Sequence, residues 1–309
     1  MDRIICVAGP TASGKTALAI DLAKEWDGEV VSCDSMQVYR RMDIGTAKPT
    51  TEEMRGIPHH MIDVADPEEP FSVSRYCAMA TPIVEDILSR GRTVILAGGT
   101  GLYMDSLIRG GDFAPCPSTG RREELERLAE TQGIETLCDM LRRVDPDSAA
   151  RLHPSDRKRI IRALEVYLET GVTITEHDRR TKLAPPKYDP LWLGIDFAER
   201  SELYRRIDLR VERMLEAGLI DEIRGLLASG LSPDCTAMQA IGYKEFAAAL
   251  EGKCSMAEAT ALVQQSSRRY AKRQLTWFRR NSAMHWLIRG ESREEISSQA
   301  RQRLRYFDN

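Results

Sequence analysis

The chain has 309 residues, 42% of them hydrophobic and 29% charged, enough to bury a substantial core in one large domain or two smaller ones. Its 44 basic and 47 acidic residues leave a net charge of only −3, so affinity for a polyanion has to come from where the charges sit. No apolar run reaches membrane-spanning length, the seven cysteines form no C-x-x-C pair and the five histidines show no ligand spacing, which argues against a membrane anchor, a signal peptide and structural zinc and predicts a reducing, cytoplasmic setting.

Residues 4–8 form a short apolar run that leads into Gly9-Pro10-Thr11-Ala12-Ser13-Gly14-Lys15-Thr16, which fits G-x-x-x-x-G-K-[ST] at every fixed position. A strand therefore feeds a phosphate-binding loop. The glycines let backbone N–H groups turn toward phosphate oxygens, Lys15 adds a point charge and the Thr16 hydroxyl suits Mg²⁺. A helix is predicted from about Gly14, with Ala17, Leu18, Ile20, Leu22 and Ala23 on its apolar positions, and it brings the positive end of its dipole to the same place. These features are built for a pyrophosphate, but they do not say whose.

Residues 29–33 read as a second buried strand that delivers Asp34 at its C-terminal end, where ligands bind in open α/β sheets. Asp34 has three available roles: turn cap, Mg²⁺ ligand, or carboxylate that takes a proton from an incoming nucleophile. The polar, Gly/Pro-punctuated stretch after it reads as a working loop, and residues 57–64 as a short edge strand in which His59 and His60 are structural. A helix over 72–90, capped by Ser72 or Ser74 and stopped by Gly91, precedes a third strand over 93–97 that ends in Gly98-Gly99-Thr100-Gly101. Strand and helix in alternation predict a parallel sheet with helices on both faces. No carboxylate stands at the end of the third strand, where an NTP hydrolase usually keeps a Mg²⁺-holding acid. That weakens the hydrolase reading.

From about Phe113 the composition changes through a Pro-rich break at 114–120 into a charged, helical block. Helices are predicted over 121–132, 135–144 and 155–169, the last with Ser155 as N-cap and Gly171 as stop. Residues 191–195 return to a core strand. The expected organisation is therefore a parallel-sheet core from 1–113 and 190–309 with an all-helical insertion at 114–189. Further helices follow over 199–217, 220–229, 237–250 and 256–280, then a short strand over 285–288 and a last helix.

Three basic clusters stand out against the near-neutral total. Residues 259–290 contain no acid yet hold Arg268, Arg269, Lys272, Arg273, Arg279, Arg280 and Arg289, with Tyr270, Trp277 and Phe278 interleaved. On a helix, Arg269, Lys272 or Arg273, and Arg280 share one face, as a phosphate backbone requires; the bland reading is a solvated face paired with acids elsewhere. Arg157, Lys158, Arg159 and Arg162 form the second cluster, and Arg205, Arg206, Arg210 and Arg213 the third. Such segregation raises the case for a polyanionic partner.

GPTASGKT, Asp34-Ser35-Met36-Gln37-Val38-Tyr39 with the MDIGTAKP that follows, GGTGLY from Gly98, HPSDRKRIIRALEV from His153, Ala240-Ile241-Gly242-Tyr243-Lys244 and AKRQLTWFR from Ala271 together closely resemble the tRNA dimethylallyltransferases, also called tRNA isopentenyltransferases. The matches run in order along nearly the whole chain. The resemblance implies a P-loop NTPase-like α/β core with an inserted helical domain. It also implies transfer of a dimethylallyl group from dimethylallyl diphosphate to N6 of the adenosine 3′ of the anticodon, in tRNAs reading codons that begin with U. The pyrophosphate would then be a leaving group, which accounts for the missing acid.

Carried over residue by residue, the resemblance assigns the diphosphate to Gly9, Pro10, Thr11, Ala12, Ser13, Gly14, Lys15 and Thr16, with Mg²⁺ on Thr16 as the cofactor. It implies Asp34 as general base, Thr100 at the diphosphate and the attacking nucleotide, and Arg210 as an aid to diphosphate binding and catalysis. The implied tRNA contacts are Asp34, Ser35, Met36, Gln37, Thr100, Arg122, Lys158, Arg159, Ile160, Ile161, Arg162, Gln239, Ala240, Ile241, Gly242, Tyr243 and Lys244. Several relatives begin the last segment with a basic residue where Gln239 stands. The expected partner is the tRNA anticodon stem-loop and the expected state a monomer, in a short bacterial-type form with no Cys/His-rich tail after Trp286. Read from the residues alone, a P-loop kinase with Asp34 as base, a transferase acting on free adenine nucleotides and a non-catalytic RNA-binding module stay open. The helical insertion and the basic clusters speak against a mononucleotide acceptor, and the intact Gly14-Lys15-Thr16 against a vestigial loop.

Overall fold

The computed structural model describes residues 3–111, 119–183, 185–290 and 292–307. It divides into two compact units, Met1–Gly110 with Lys187–Asn309, and Gly111–Pro186. The expected boundaries were 113/114 and 189/190; most of the Pro-rich break, with Cys116, lies outside the described residues. No helix among the described residues is long and apolar enough to cross a membrane.

The first unit starts with β1 (Arg3–Ala8), α1 (Lys15–Glu25), β2 (Gly28–Ser32), α2 (Thr51–Met54), β3 (His59–His60), α3 (Val73–Ser89), β4 (Thr93–Gly98) and α4 (Gly101–Arg109). In the second unit lie α5 (Arg121–Gln132), α6 (Ile134–Val144), α7 (Pro146–Arg151), α8 (Arg157–Thr170) and α9 (Ile174–Leu183). The first unit resumes with β5 (Asp189–Phe197), α10 (Arg200–Glu216), α11 (Leu219–Ala228), a 3₁₀ turn at Ala237–Gln239, α12 (Tyr243–Leu250), α13 (Met256–Phe278), β6 (His285–Arg289) and α14 (Arg293–Phe307).

All six strands run parallel in the order β3-β2-β4-β1-β5-β6. Ala8 pairs with Gly98 and Ser32 with Ala97, so β1, β2 and β4 end together and their following loops share one edge. That edge is where open α/β sheets place their ligands. The apolar runs that predict these strands are buried on both faces, as parallel strands require, with Ile5, Val7, Ile95, Leu193 and Ile195 packed beneath Leu18 and Leu22 of α1 and Ile296 and Leu304 of α14.

Glu29 breaks the apolar pattern of β2 and is nevertheless buried. It accepts hydrogen bonds from Arg90 at 2.5 Å and Arg92 at 2.7 Å and pairs with His60 Nε2 at 2.7 Å, and the Arg90 guanidinium foremost holds its carboxyl down at about 2. His60 is thus a structural partner, as expected.

Local signals placed most elements within a residue or two, and the departures have local causes. Ser72 caps α3 by accepting from Arg75 N–H. Asp156, not Ser155, is the N-cap of α8, because the Ser155 hydroxyl is engaged 2.8 Å from His153 Nδ1. The predicted helix over 237–250 is broken at Ala240–Gly242, where Gly242 takes φ 99°, so that only the 3₁₀ turn and α12 form. Four helices among the described residues went unpredicted: the short α2, capped by Thr50 accepting from Glu53 N–H, α4 after the glycine loop, α7 with Asp145 accepting from Ser148 N–H, and α9.

In the second unit, Leu137, Leu141, Ile160, Ile161 and Leu164 form a core of their own. Ile160 and Ile161, expected in an RNA-contacting segment, are only 1% and 3% exposed and pack inward. Helical spacing is the reason: within 158–162 only Lys158, Arg159 and Arg162 face solvent.

Candidate active site

Three loops at the C-terminal edge of the sheet build the site. In the phosphate loop, Gly9 is pressed against β5, where a Cβ would lie 3.1 Å from the Ile195 carbonyl, and Ser13 is fully buried. Ala12 adopts the left-handed φ of 63°, and its carbonyl accepts from Arg206 Nε at 3.1 Å. Lys15 folds back and donates to the Pro10 carbonyl at 2.8 Å. Of the eight predicted residues, Thr11, Lys15 and Thr16 reach the cavity wall, while Gly9, Pro10, Ala12, Ser13 and Gly14 shape the turn beneath it.

Asp34 lies two residues beyond the end of β2, after Cys33. One of its carboxylate oxygens accepts from Met36 N–H at 2.9 Å and Gln37 N–H at 3.4 Å, a turn held by the side chain itself. Thr100, the residue before α4, secures the same turn from across the sheet: its hydroxyl accepts from Ser35 N–H at 3.1 Å. The Thr100 hydroxyl therefore acts on the Asp34 turn and is not among the groups on the cavity wall. Gln37 ties this turn to the next loop, donating to the carbonyls of Thr46 and Ala47 at 3.3 and 3.2 Å.

The cavity these loops line has a volume of about 370 Å³. Lys15, Thr16, Asp34 and Arg210 stand on its wall together with Tyr270 and Arg273, and Met214, Leu219, Ile241 and Val263 give it an apolar stretch. Burial, with the Arg210 cation beside it, brings the Lys15 ammonium down to about 8, and Asp34 opposes that shift. Burial likewise lowers the Arg210 guanidinium, again opposed by Asp34. Burial, then the Asp34 charge, pushes the Tyr270 phenol up to about 12. Two partly desolvated cations facing one carboxylate form a ready seat for a polyanion.

The third basic cluster is thus divided by the geometry of α10. Arg206 and Arg210, one turn apart, reach the phosphate loop and the cavity, whereas Arg205 pairs with Glu202 at 2.8 Å and Arg213 is not on the cavity wall.

The remaining wall comes from 45–47 and 239–244. Glu222 of α11 fastens both: it accepts from the N–H groups of Asp43 and Ile44 at 2.8 Å and of Gly45 at 3.2 Å, and from the Tyr243 hydroxyl at 2.6 Å. Tyr243, an expected RNA contact, is buried by this bond and cannot present its side chain to a ligand; Ala240 is also buried. Ser35, Met36, Gln37, Gln239, Ala240, Ile241, Gly242 and Lys244 are on the cavity wall. A Cβ on Gly45 would lie 2.4 Å from the Tyr243 ring. Gly45→Ala is therefore expected to destabilise the protein by about 1–3 kcal/mol through overpacking, read as a lowered midpoint in urea unfolding.

Along α13, Arg269, Lys272 and Arg273 are exposed, and Arg280 follows two residues beyond the helix end. Among the described residues no acid pairs with any of the four; Arg273 lies over the Tyr270 ring at 5.5 Å and Arg280 over Trp277 at 5.7 Å. Arg268 and Arg279 of the same cluster are committed to Asp208 and Asp196. In the second unit, Arg157 pairs with Glu130 at 3.0 Å, Arg159 with Asp156 at 3.7 Å, and Arg122 and Arg162 both with Glu165 at 2.8 Å. Most of the second cluster is thus paired with acids, whereas the cluster on and after α13 is divided, with Arg268 and Arg279 paired and Arg269, Lys272, Arg273 and Arg280 without an acid among the described residues.

Glu222 and Gln274 fasten the loops around the cavity, and sequence patterns did not single them out. Glu222 looked like any charge in a first helical turn. Gln274 carried a signal, as a polar residue on the Tyr270, Gln274, Trp277 ridge whose other members are aromatic, and it is buried.

No group of three or more His, Cys, Asp or Glu side chains that could hold a metal occurs among the described residues. Mg²⁺, however, commonly takes one or two protein oxygens, several waters and the substrate's phosphates. The Thr16 hydroxyl on the wall beside Lys15, with Asp34 on the same cavity, fits an ion carried in with a diphosphate.

Known proteins share this arrangement of loops and sheet. The IPP transferase family model matches residues 37–281. The chain is 50% identical over 298 residues to the tRNA dimethylallyltransferase of Geobacter sulfurreducens, covering 96% of this chain and 95% of that one. It is 48% identical to tRNA dimethylallyltransferase 1 of Trichlorobacter lovleyi, covering 96% and 97%. Among solved structures, the full-length tRNA isopentenylpyrophosphate transferase of Bacillus halodurans aligns with a TM-score of 0.71 at 40% identity over the whole of both chains. A eukaryotic dimethylallyltransferase acting on tRNA aligns with a TM-score of 0.83 at 30% identity, over 98% of this chain and 78% of that one.

Proposed function

The chain belongs to the IPP transferase family, and from that premise we propose that it transfers a dimethylallyl group from dimethylallyl diphosphate to N6 of the adenosine immediately 3′ of the anticodon, in tRNAs reading codons that begin with U. The observation that carries this reading is a single cavity in which a phosphate loop, two cations and one carboxylate meet, on a sheet whose β4 ends in Gly98-Gly99-Thr100 with no acid for nucleotide hydrolysis.

In the reaction the N6 lone pair forms a bond to the allylic carbon as the carbon–oxygen bond breaks, and the electron pair leaves with the diphosphate. Lys15 and Arg210 stabilise the negative charge that grows on that leaving group. An exocyclic amine conjugated to a purine is a weak nucleophile, so Asp34 takes the N6 proton during attack. The loops fastened by Gln37 and Glu222 hold amine and allylic carbon in line. Mg²⁺, held by the diphosphate and the Thr16 hydroxyl, supplies further charge neutralisation when bound.

The target base has to leave the anticodon-loop stack to enter the cavity, which a single-stranded loop permits at low cost. The unpaired cations Arg269, Lys272 and Arg273 of α13, with Arg280 just beyond it, support an RNA partner, since phosphates can pair with them without displacing an acid. Arg269→Ala combined with Lys272→Ala and Arg280→Ala is expected to weaken tRNA binding and to reduce the slope of log affinity against log salt by about 0.7 for each phosphate that is no longer neutralised. In the second unit, Lys158 should matter more than Arg157 and Arg159, which are already paired with Glu130 and Asp156. Every group invoked belongs to one chain, so a monomer suffices, and free cysteines such as Cys6 and Cys33 suit a cytoplasmic setting.

The deciding experiment incubates the protein with Mg²⁺, labelled dimethylallyl diphosphate and an unmodified tRNA carrying adenosine 3′ of its anticodon, with AMP and ATP as parallel acceptors. Label is expected in the tRNA alone and lost when that adenosine is replaced. Label on a mononucleotide would reassign the acceptor, and absence of transfer with acceptor-dependent ADP formation would indicate a kinase.

A further inference from the structure

Gln274 is buried within α13, and both ends of its amide are used on backbone. Its Oε1 accepts from Thr11 N–H at 2.8 Å, and its Nε2 donates to the Gly99 carbonyl at 3.0 Å. Thr11 belongs to the phosphate loop after β1. Gly99 precedes Thr100, which in turn holds Ser35 beside Asp34. One side-chain amide therefore bridges the loop that seats the leaving group and the loop that steadies the base.

At its far end the approach leaves no room for a side chain unless the Gln274 amide gives up its place. A Cβ on Gly99 would lie 2.0 Å from Gln274 Nε2. Three residues along the same ridge, Trp277 Nε1 donates to Asp105 at 2.8 Å, and a Cβ on Gly101 would meet the indole at 2.1 Å. The helix is thus seated on Gly99 and Gly101 with little freedom to slide.

We infer that Gln274 is a positioning residue that sets the diphosphate loop against the Asp34–Thr100 turn and so fixes the distance between leaving group and base. The inference rests on the transfer reaction proposed above. Gln274 lies on the cavity wall, but both ends of its amide are engaged by Thr11 and Gly99, and it acts through them. Because it already occupies the Thr11 N–H, its removal frees that donor for phosphate oxygens, so losing the bridge misaligns the reactants without emptying the diphosphate seat. Misplacement on the scale of an ångström costs roughly 10- to 100-fold in rate.

Gln274→Met keeps the length of the side chain and removes both hydrogen bonds. The expected result is a kcat lowered roughly 10- to 100-fold, an inhibition constant for inorganic pyrophosphate within about threefold of the parent, and an unchanged KM for tRNA. A kcat and a pyrophosphate affinity that fall together, or a kcat within about twofold of the parent, would overturn the inference. Should Gln274→Met fail to fold, Gln274→Asn, too short to span both loops, has to show the same split; failure of both to fold would mean a purely structural amide and equally overturn it. The parent protein in the same assay separates the two readings, since absence of tRNA prenylation there refutes the proposed function rather than the role of Gln274.

Discussion

Asp34→Asn is expected to slow dimethylallyl transfer by roughly 10²- to 10⁴-fold while leaving tRNA affinity within about tenfold, the range removed with a general base. Asparagine is the informative replacement because of how the turn is built. The Asp34 oxygen that accepts from Met36 and Gln37 has an equivalent in an amide carbonyl, so the loop keeps its shape while the site loses a proton acceptor. Thr100 still holds Ser35. Asp34→Ala removes the turn as well as the base, so it should lose additional affinity for tRNA through the displaced Ser35, Met36 and Gln37. Single-turnover transfer on prebound tRNA, with filter binding of the same variants, separates the two contributions. Equal losses of binding and rate in the Asn variant would show that Asp34 shapes the loop and does not take the proton.

The second large effect belongs to Lys15. Lys15→Met should lower transfer by about 10²- to 10³-fold, as expected for removing one preorganised donor from a developing oxyanion. Its environment adds a dependence on pH with a definite sign. Burial, with Arg210 beside it, brings the ammonium down to about 8. In the free protein Lys15 is therefore charged below that pH and neutral above it. Affinity for a polyanion is complete in the charged state and declines as pH rises through about 8. Inorganic pyrophosphate, titrated as a competitive inhibitor at intervals from about pH 7 to about pH 9, should inhibit progressively less well above about pH 8, and Lys15→Met should lack that inflection. A KM for tRNA that shares the inflection would point to another titrating group.

Much of this arrangement was legible because its causes are local. The apolar run of β1, the glycines and Lys15-Thr16 after it, and Asp34 at the end of the second strand lie within a few residues of the features that identify them. Helix stops were readable where a glycine takes a left-handed φ, as at Gly171. The same local reading failed where two nearby groups competed. His153 claimed the Ser155 hydroxyl and left Asp156 to begin α8, and Gly242 interrupted an apolar pattern that reads as one helix. It also treated contiguous segments as surfaces, although helical rotation turns Ile160 and Ile161 into the core and leaves Lys158, Arg159 and Arg162 outside.

The sequence by itself determined the phosphate loop, the carboxylate at the strand end and the parallel α/β core, since each follows from backbone conformation and hydrophobic period over short windows. Only the tertiary structure decided which groups meet. Gln274 reaches Thr11 across 263 residues, and Glu222 reaches Ile44 across 178. It also decided which cations are left unpaired: among the described residues Arg269 and Arg273 of α13 lack acids, while Arg157 and Arg162 have them. The physical reason is that a polar side chain is satisfied by whatever partner the fold brings within about 3 Å, and sequence spacing carries no record of that distance.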